Sequence, residues 1–254
     1  MTTADTIQPM PASLLELLDP VIRQELDRVD ILPVHRVLEI GAGTGEITAL
    51  LAHRVGLTGG LSAVDRDTSC INPTSKINVY QRELGRDALP GEAEGFDRIV
   101  ARWLHGELPD PAAVLEQMID RLSPGGWLIL ADITSTPPRV FRPNGNDAHL
   151  IRTVMQRLYH IIAPDGRATW TADIDTLLLD QGMVQICTHT STETWTGRGP
   201  GCRLLADAVD QLRPVLIEPD LTNTDLDRFV NLMADPRVIL GSYERRAIHA
   251  RKTP

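Results

Sequence analysis

Apolar positions follow a helical period from Ser13 to about Val29, where Leu14, Leu15, Leu17, Leu18, Val21, Ile22 and Leu26 recur and Pro20 predicts a break. The period then shortens. His35–Ile40, built around Val37, Leu38 and Ile40, reads as a strand that stops at Gly41-Ala42-Gly43-Thr44-Gly45. Glu46–Val55 follows as a helix closed by Gly56 and Gly59-Gly60, and Leu61–Val64 as a second strand ending at Asp65. Ile77–Arg82, Phe96–Ala101 and Trp127–Ala131 continue the strands, with a helix over Pro111–Leu122 and a Pro124-Gly125-Gly126 turn before the last of them. This alternation predicts an α/β, doubly wound, mainly parallel sheet. Beyond residue 132 the pattern is mostly helical, over Asp147–Ile162, Ala172–Gln181, Cys202–Leu216 and Thr224–Met233, with late strands at Met183–Thr190 and Tyr243–Arg251.

Composition narrows what such a sheet could serve. The 254 residues carry 25 Lys plus Arg against 34 Asp plus Glu, a net charge of −9, which disfavours a broad phosphate-neutralising surface and hence a bulk nucleic-acid partner. Cys70, Cys187 and Cys202 lie far apart in sequence, which fits neither a disulfide framework nor a zinc site of paired cysteines, so no metal and a reducing, cytoplasmic setting are expected. Met1–Met10 has no basic residue or apolar run, and no apolar stretch approaches the roughly 18 residues of a membrane span. Secretion and membrane insertion are not expected.

The candidate chemistry sits at the strand ends. A strand running into glycines and then a helix places bare backbone N–H groups at the carboxyl edge of the sheet, where a nucleotide-like ligand can approach. A dinucleotide fingerprint needs a small residue at position 46, and the chain has Glu46, whose carboxylate would repel a pyrophosphate. Glu39, Asp65 and Glu83 end three successive strands. Such acids suit a ligand with a cationic amino-acid end, two ribose hydroxyls and an exocyclic adenine amine.

Val37-Leu38-Glu39-Ile40-Gly41-Ala42-Gly43-Thr44-Gly45 resembles the first motif of class I S-adenosylmethionine-dependent methyltransferases. Phe96–Arg102 is similar to that family's fourth-strand segment, Leu108-Pro109-Asp110 to the turn after it, and Leu122–Gly126 to the hairpin before strand five. The later segments around Gly166-Arg167, Gly197–Gly201, Asp235-Pro236 and Tyr243–Arg251 look like actinobacterial small-molecule methyltransferases, some of which modify natural products. The resemblance implies a Rossmann-like sheet of seven strands, the last antiparallel, with helical cap insertions. It implies S-adenosylmethionine as cofactor, S-adenosylhomocysteine as product, and contacts from Glu39, Gly41, Ala42, Gly43 and Gly45. Asp65, with Arg66 beside it, stands as the ribose-binding acid, Glu83-Leu84 as the adenine pair, and Ala101, Arg102 and Trp103 as the loop at the amino-acid end. On this reading residues 1–254 form one domain, with 1–30 a lid or cover, 31–132 the cofactor half, and 133–254 the cap and last strands.

Two departures concern the acceptor. Many relatives carry His-Leu-Pro-Asp after strand four, whereas this chain has Glu107-Leu108-Pro109-Asp110 and places its histidine at His105. The Asn/Asp-Pro-Pro-Tyr/Phe signature of enzymes methylating nucleic-acid bases is absent, Ala101-Arg102-Trp103-Leu104 standing in its place. Methyl transfer is an in-line displacement that needs orientation, exclusion of water and, for a protonated nucleophile, a base. His105, His149 and His160 are the alternative bases; the last two are 11 residues apart, about three helical turns, and so share a face. The expected partner is a small molecule, with a homodimer permitted. Cyclisation or rearrangement beside the same cofactor, a non-catalytic ligand-binding or partner subunit, and a nicotinamide oxidoreductase are the rival readings.

Overall fold

The computed structural model describes residues 19–91, 95–102, 110–134, 136, 139–162 and 170–254. Its residues fall into two compact units. The larger is built from α1 (Asp19–Arg28), β1 (Arg36–Ile40), α2 (Glu46–Arg54), β2 (Gly60–Asp65), β3 (Ile77–Gln81), β4 (Phe96–Arg102), α3 (Pro111–Arg121) and β5 (Leu122–Ile133). After an excursion into the other unit, the chain adds α5 (Trp170–Asp180) and β7 (Val184–Ser191), and later β10 (Arg245–Arg251). The seven strands run in the order β3-β2-β1-β4-β5-β10-β7, parallel throughout except for β10, which is antiparallel to both neighbours. Both the strand number and the reversed last strand match the expectation from sequence.

Neighbouring residues on these strands serve opposite faces, because side chains alternate along a strand. Leu38, Ile99, Leu128 and Ile248 join Val114, Leu115 and Met118 of α3 and Ile174 and Leu178 of α5 in one apolar cluster. Val37, Val100, Ile129 and Ala247 join Val21, Ile22 and Leu26 of α1 and Ile47 and Leu51 of α2 in the other. The continuous apolar runs of the sequence are therefore the signature of a sheet covered on both sides. The described part of the amphipathic N-terminal segment acts as a cover, with Pro20 in the first described turn of α1. Asp110 caps α3 by accepting from the Ala113 N–H at 3.1 Å, with Pro111 opening the helix, so this acid has a structural task.

The second unit holds β6 (Val140–Arg142), α4 (Gly145–Ile162), β8 (Thr194–Thr196), α6 (Pro200–Leu216), α7 (Asn223–Met233) and β9 (Ile239–Gly241). The helices match the sequence reading, but the sequence did not predict the three-stranded antiparallel sheet β6-β9-β8. Each of its strands has three residues, too few for a period of two to show. Trp195 is buried with its ring against Gly201, where a Cβ would collide with the indole. Tyr243 is buried among these helices and donates its O–H to the Met155 carbonyl at 2.8 Å. Thr222 and Asp225 form a capping box at the start of α7.

Candidate functional site

β1 delivers the chain into the glycine turn, and the backbone there is pinned to β2. Gly41 and Ala42 donate their N–H groups to the Val64 carbonyl at 2.9 and 3.2 Å. Gly41, Gly43 and Gly45 all have positive φ, at 77°, 53° and 81°. At Gly41 a Cβ would also stand 2.9 Å from the carbonyl oxygen of Arg102, so β4 approaches too closely for any side chain. The motif's glycines are required by this crossing before any ligand is considered.

Asp65 locks the same turn from the end of β2. One carboxylate oxygen accepts from the Gly43 N–H at 2.8 Å and the other from the Asp67 N–H at 2.9 Å. An ionised carboxylate offers about four acceptor positions, so each oxygen retains capacity for a hydroxyl donor. Arg66 beside it is exposed. Glu83 is also exposed, and its carboxylate is engaged by Arg86 at 2.9 Å, while its N–H donates to Asp87 at 2.8 Å. Leu84 is half-buried against the apolar core next to β3.

Glu39 is only 1% exposed, and among the described residues neither of its oxygens has a directed hydrogen bond. Burial pushes its carboxyl up to about 7; the adjacent Thr48 hydroxyl and the Arg102 guanidinium oppose the rise, and Asp65 and Asp19 reinforce it. Arg102 is buried at the end of β4, paired with Asp19 of α1, and its Nε and Nη2 groups have no hydrogen-bond acceptor among the described residues. Burial also raises Asp19, to about 6, against the pull of Arg102 and with Glu46 adding to the rise. Asp19 was not singled out from the sequence. The available signal was a carboxylate set inside an apolar helical stripe, immediately before Pro20.

The fold therefore brings Glu39, Gly41, Ala42, Gly43, Gly45, Asp65 and Arg102 together around the β1 and β4 ends, with Ala101 buried in β4. His105 and Trp103 lie outside the described residues. His149 and His160 belong to the other unit, both exposed on α4. The His160 ring is oriented by a 2.9 Å contact between Nδ1 and the Gln156 carbonyl. It lines a cavity of about 410 Å³ with Arg157, Ile161 and Val215.

Buried acids and orphaned guanidinium donors around a glycine turn suit a zwitterionic nucleoside and oppose a pyrophosphate, with Glu46 adding to the negative field beside Asp19. Among the described residues, no helix is long and apolar enough to cross a membrane. A sequence model of the methyltransferase domain matches residues 12–195. Among curated proteins, the methyltransferase str2 of Strobilurus tenacellus is 36% identical over 109 residues, covering 43% of this chain and 39% of that protein. A ubiquinone biosynthesis O-methyltransferase of Xanthomonas campestris is 26% identical over 185 residues, covering 68% and 76%. The chain spans half or less of the length of the first two curated relatives it matches. Of solved structures, the YcgJ protein of Bacillus subtilis superposes with a TM-score of 0.56 at 14% identity, over 92% of this chain and 98% of that one. A phosphoethanolamine N-methyltransferase of Haemonchus contortus, solved with S-adenosylhomocysteine, gives 0.52 at 15% identity, over 93% and 53%. With more than half of its length matched by the domain model, and with the sheet order and the site to accompany it, the chain belongs to the methyltransferase-domain family, in its class I, S-adenosylmethionine-dependent branch.

Proposed function

We propose that the chain transfers a methyl group from S-adenosylmethionine to a small-molecule acceptor, a hydroxyl of a secondary metabolite being the acceptor favoured here. The observation that carries this reading is the buried, orphaned Glu39 carboxylate beside Arg102 at the mouth of a glycine turn. The name of the Xanthomonas relative, a ubiquinone biosynthesis O-methyltransferase, supports transfer to a small molecule with oxygen as the atom methylated.

Glu39 would face the cationic amino-acid end through water or backbone, and the free Arg102 donors would take a carboxylate. The open acceptor positions of Asp65 would receive ribose hydroxyls. Glu83 would reach an adenine amine only by turning away from Arg86, which leaves Leu84 and the neighbouring backbone as the steadier wall. The cofactor supplies an electrophilic methyl on a sulfonium: an oxygen–carbon bond forms as the sulfur–carbon bond breaks, leaving a neutral thioether, and the acceptor's proton passes to a base. Of the two described candidates, His160 is the better base, because Nδ1–H donation to Gln156 would leave Nε2 free to accept a proton. Orientation and exclusion of water supply the remainder of the rate.

The decisive test measures S-adenosylhomocysteine formed mole for mole with a methylated product across a panel of phenols, enols and amines. Product carrying the methyl group supports transfer; product formed without S-adenosylhomocysteine favours rearrangement beside an intact cofactor. In the first case His160→Gln lowers turnover about 10² to 10⁴-fold while leaving S-adenosylhomocysteine affinity unchanged. Unchanged turnover removes His160 and directs attention to His149 and His105.

A further inference from the structure

A second cluster of chemistry-bearing side chains lies under α1, on residues the methyl-transfer reading does not use. We propose that Glu25, His189 and His249 form a binding site for a divalent first-row transition ion of the zinc class, with three protein ligands and one open position.

Glu25 comes from α1, His189 from β7 and His249 from β10. The Glu25 carboxylate is fully buried, and its two oxygens are each met by the same ring nitrogen of a different imidazole. His249 Nδ1 stands 2.8 Å from Oε2, and His189 Nδ1 stands 3.1 Å from Oε1. One donor atom from each residue lies within 4.8 Å of the others. The sheet explains the convergence: His249 is opposite Cys187, so His189, two positions along β7, falls on the same face. The Trp127 ring meets the edge of His249 at a centroid distance of 5.5 Å and restrains it.

His249 Nδ1 is within hydrogen-bond distance of Glu25 Oε2, and the unsatisfied member of the cluster is His189. His189 Nδ1 is buried and makes no directed hydrogen bond, despite its approach to Glu25. Its other nitrogen lies 3.8 Å from Cys187 Sγ. In the tautomer that donates Nε2–H to the sulfur, Nδ1 would present a lone pair to Oε1, the arrangement a metal ligand needs. A cation shared between that nitrogen and the carboxylate would relieve the repulsion of the two lone pairs, as a proton on Nδ1 would in the other tautomer. Around a tetrahedral ion with bonds of about 2.0–2.1 Å, neighbouring ligand atoms stand about 3.3 Å apart, near the 3.1 Å at His189; the 2.8 Å at His249 would lengthen as an ion replaced its hydrogen bond. Two imidazole nitrogens and one carboxylate oxygen suit zinc, cobalt or nickel better than calcium or magnesium, which take mostly oxygen ligands. His189 is partly exposed and provides the route in from solvent. Arg28 also bonds Glu25 Oε1 and is itself substantially in water, so it competes with an ion for that oxygen.

The test is titration of Zn²⁺ into the chelator-stripped full chain in competition with a chromophoric chelator, with Co²⁺ as spectroscopic probe. One ion per chain with a dissociation constant below about 10 μM, and intense visible cobalt bands of a four-coordinate site, are expected. His189→Gln and His249→Gln each weaken binding at least tenfold, whereas Arg28→Gln tightens it. Saturating zinc raises the melting temperature of the wild type by about 5 °C or more, an increment lost in either histidine variant. Circular dichroism establishes that the variants are folded. If either histidine variant does not fold, the Arg28→Gln affinity and the cobalt spectrum of the wild type decide the matter. Absence of stoichiometric binding below about 100 μM, or binding unchanged in folded histidine variants, overturns the proposal and leaves an ordinary buried ion-pair network.

Discussion

The two units treat buried polar groups in opposite ways. In the sheet unit, Glu39 and part of Arg102 are withdrawn from water without directed hydrogen bonds among the described residues, an arrangement that costs folding energy. In the cap unit, Tyr243 finds the Met155 carbonyl and Trp195 donates to Glu193 at 3.3 Å. Unsatisfied polar groups concentrated at the end of a rigid parallel sheet mark a place prepared for a ligand, whereas satisfied ones mark construction. The same contrast assigns different consequences to mutations in each unit.

The largest expected effect lies at Glu39. Its folded pKa of about 7 exceeds the usual 4.5, so the native state holds a proton that the unfolded chain releases between those values. Stability is therefore greatest below pH 4.5 as far as this group is concerned, and falls as pH rises to about 7, by roughly 3 kcal/mol. Glu39→Gln removes that slope in denaturant titrations at pH 5 and pH 8; an unchanged difference would show the carboxylate to be paired. Next is Asp65→Ala, which frees the Gly43 and Asp67 N–H groups as well as deleting the ribose acceptor, and lowers S-adenosylhomocysteine affinity about 100-fold by calorimetry. In the cap, Tyr243→Phe leaves the Met155 carbonyl without its donor, costing about 1–2 kcal/mol, or a few degrees of melting temperature. Thr222→Ala costs about 1 kcal/mol through the lost cap. Neither cap variant shifts S-adenosylhomocysteine affinity, and a shift in either would break the distinction between the units.

What the sequence made legible follows the same division. The glycine turn, the short continuous apolar runs around Val37-Leu38 and Ile99-Val100, and Asp65 were readable because each depends on a local rule: a φ sign, an apolar run bounded by a turn, an acid at a strand end. The three-residue strands of the cap obey no period long enough to detect. Glu25, His189 and His249 carried no local signal either, because their meaning depends on strands and helices far apart in sequence meeting across the sheet. Glu83 shows the converse: its position was legible, but its pairing with Arg86 was not.

The insertion of β10 between β5 and β7 also sets an order of events during synthesis. When β7 leaves the ribosome its only neighbour in the finished sheet does not yet exist, and about 60 further residues must be made before β10 is complete. At about 5–20 residues per second, that leaves an unprotected strand edge for several seconds. The same delay governs the Glu25–His189–His249 cluster, whose first member is made long before the other two and whose last arrives only with the strand that closes the gap.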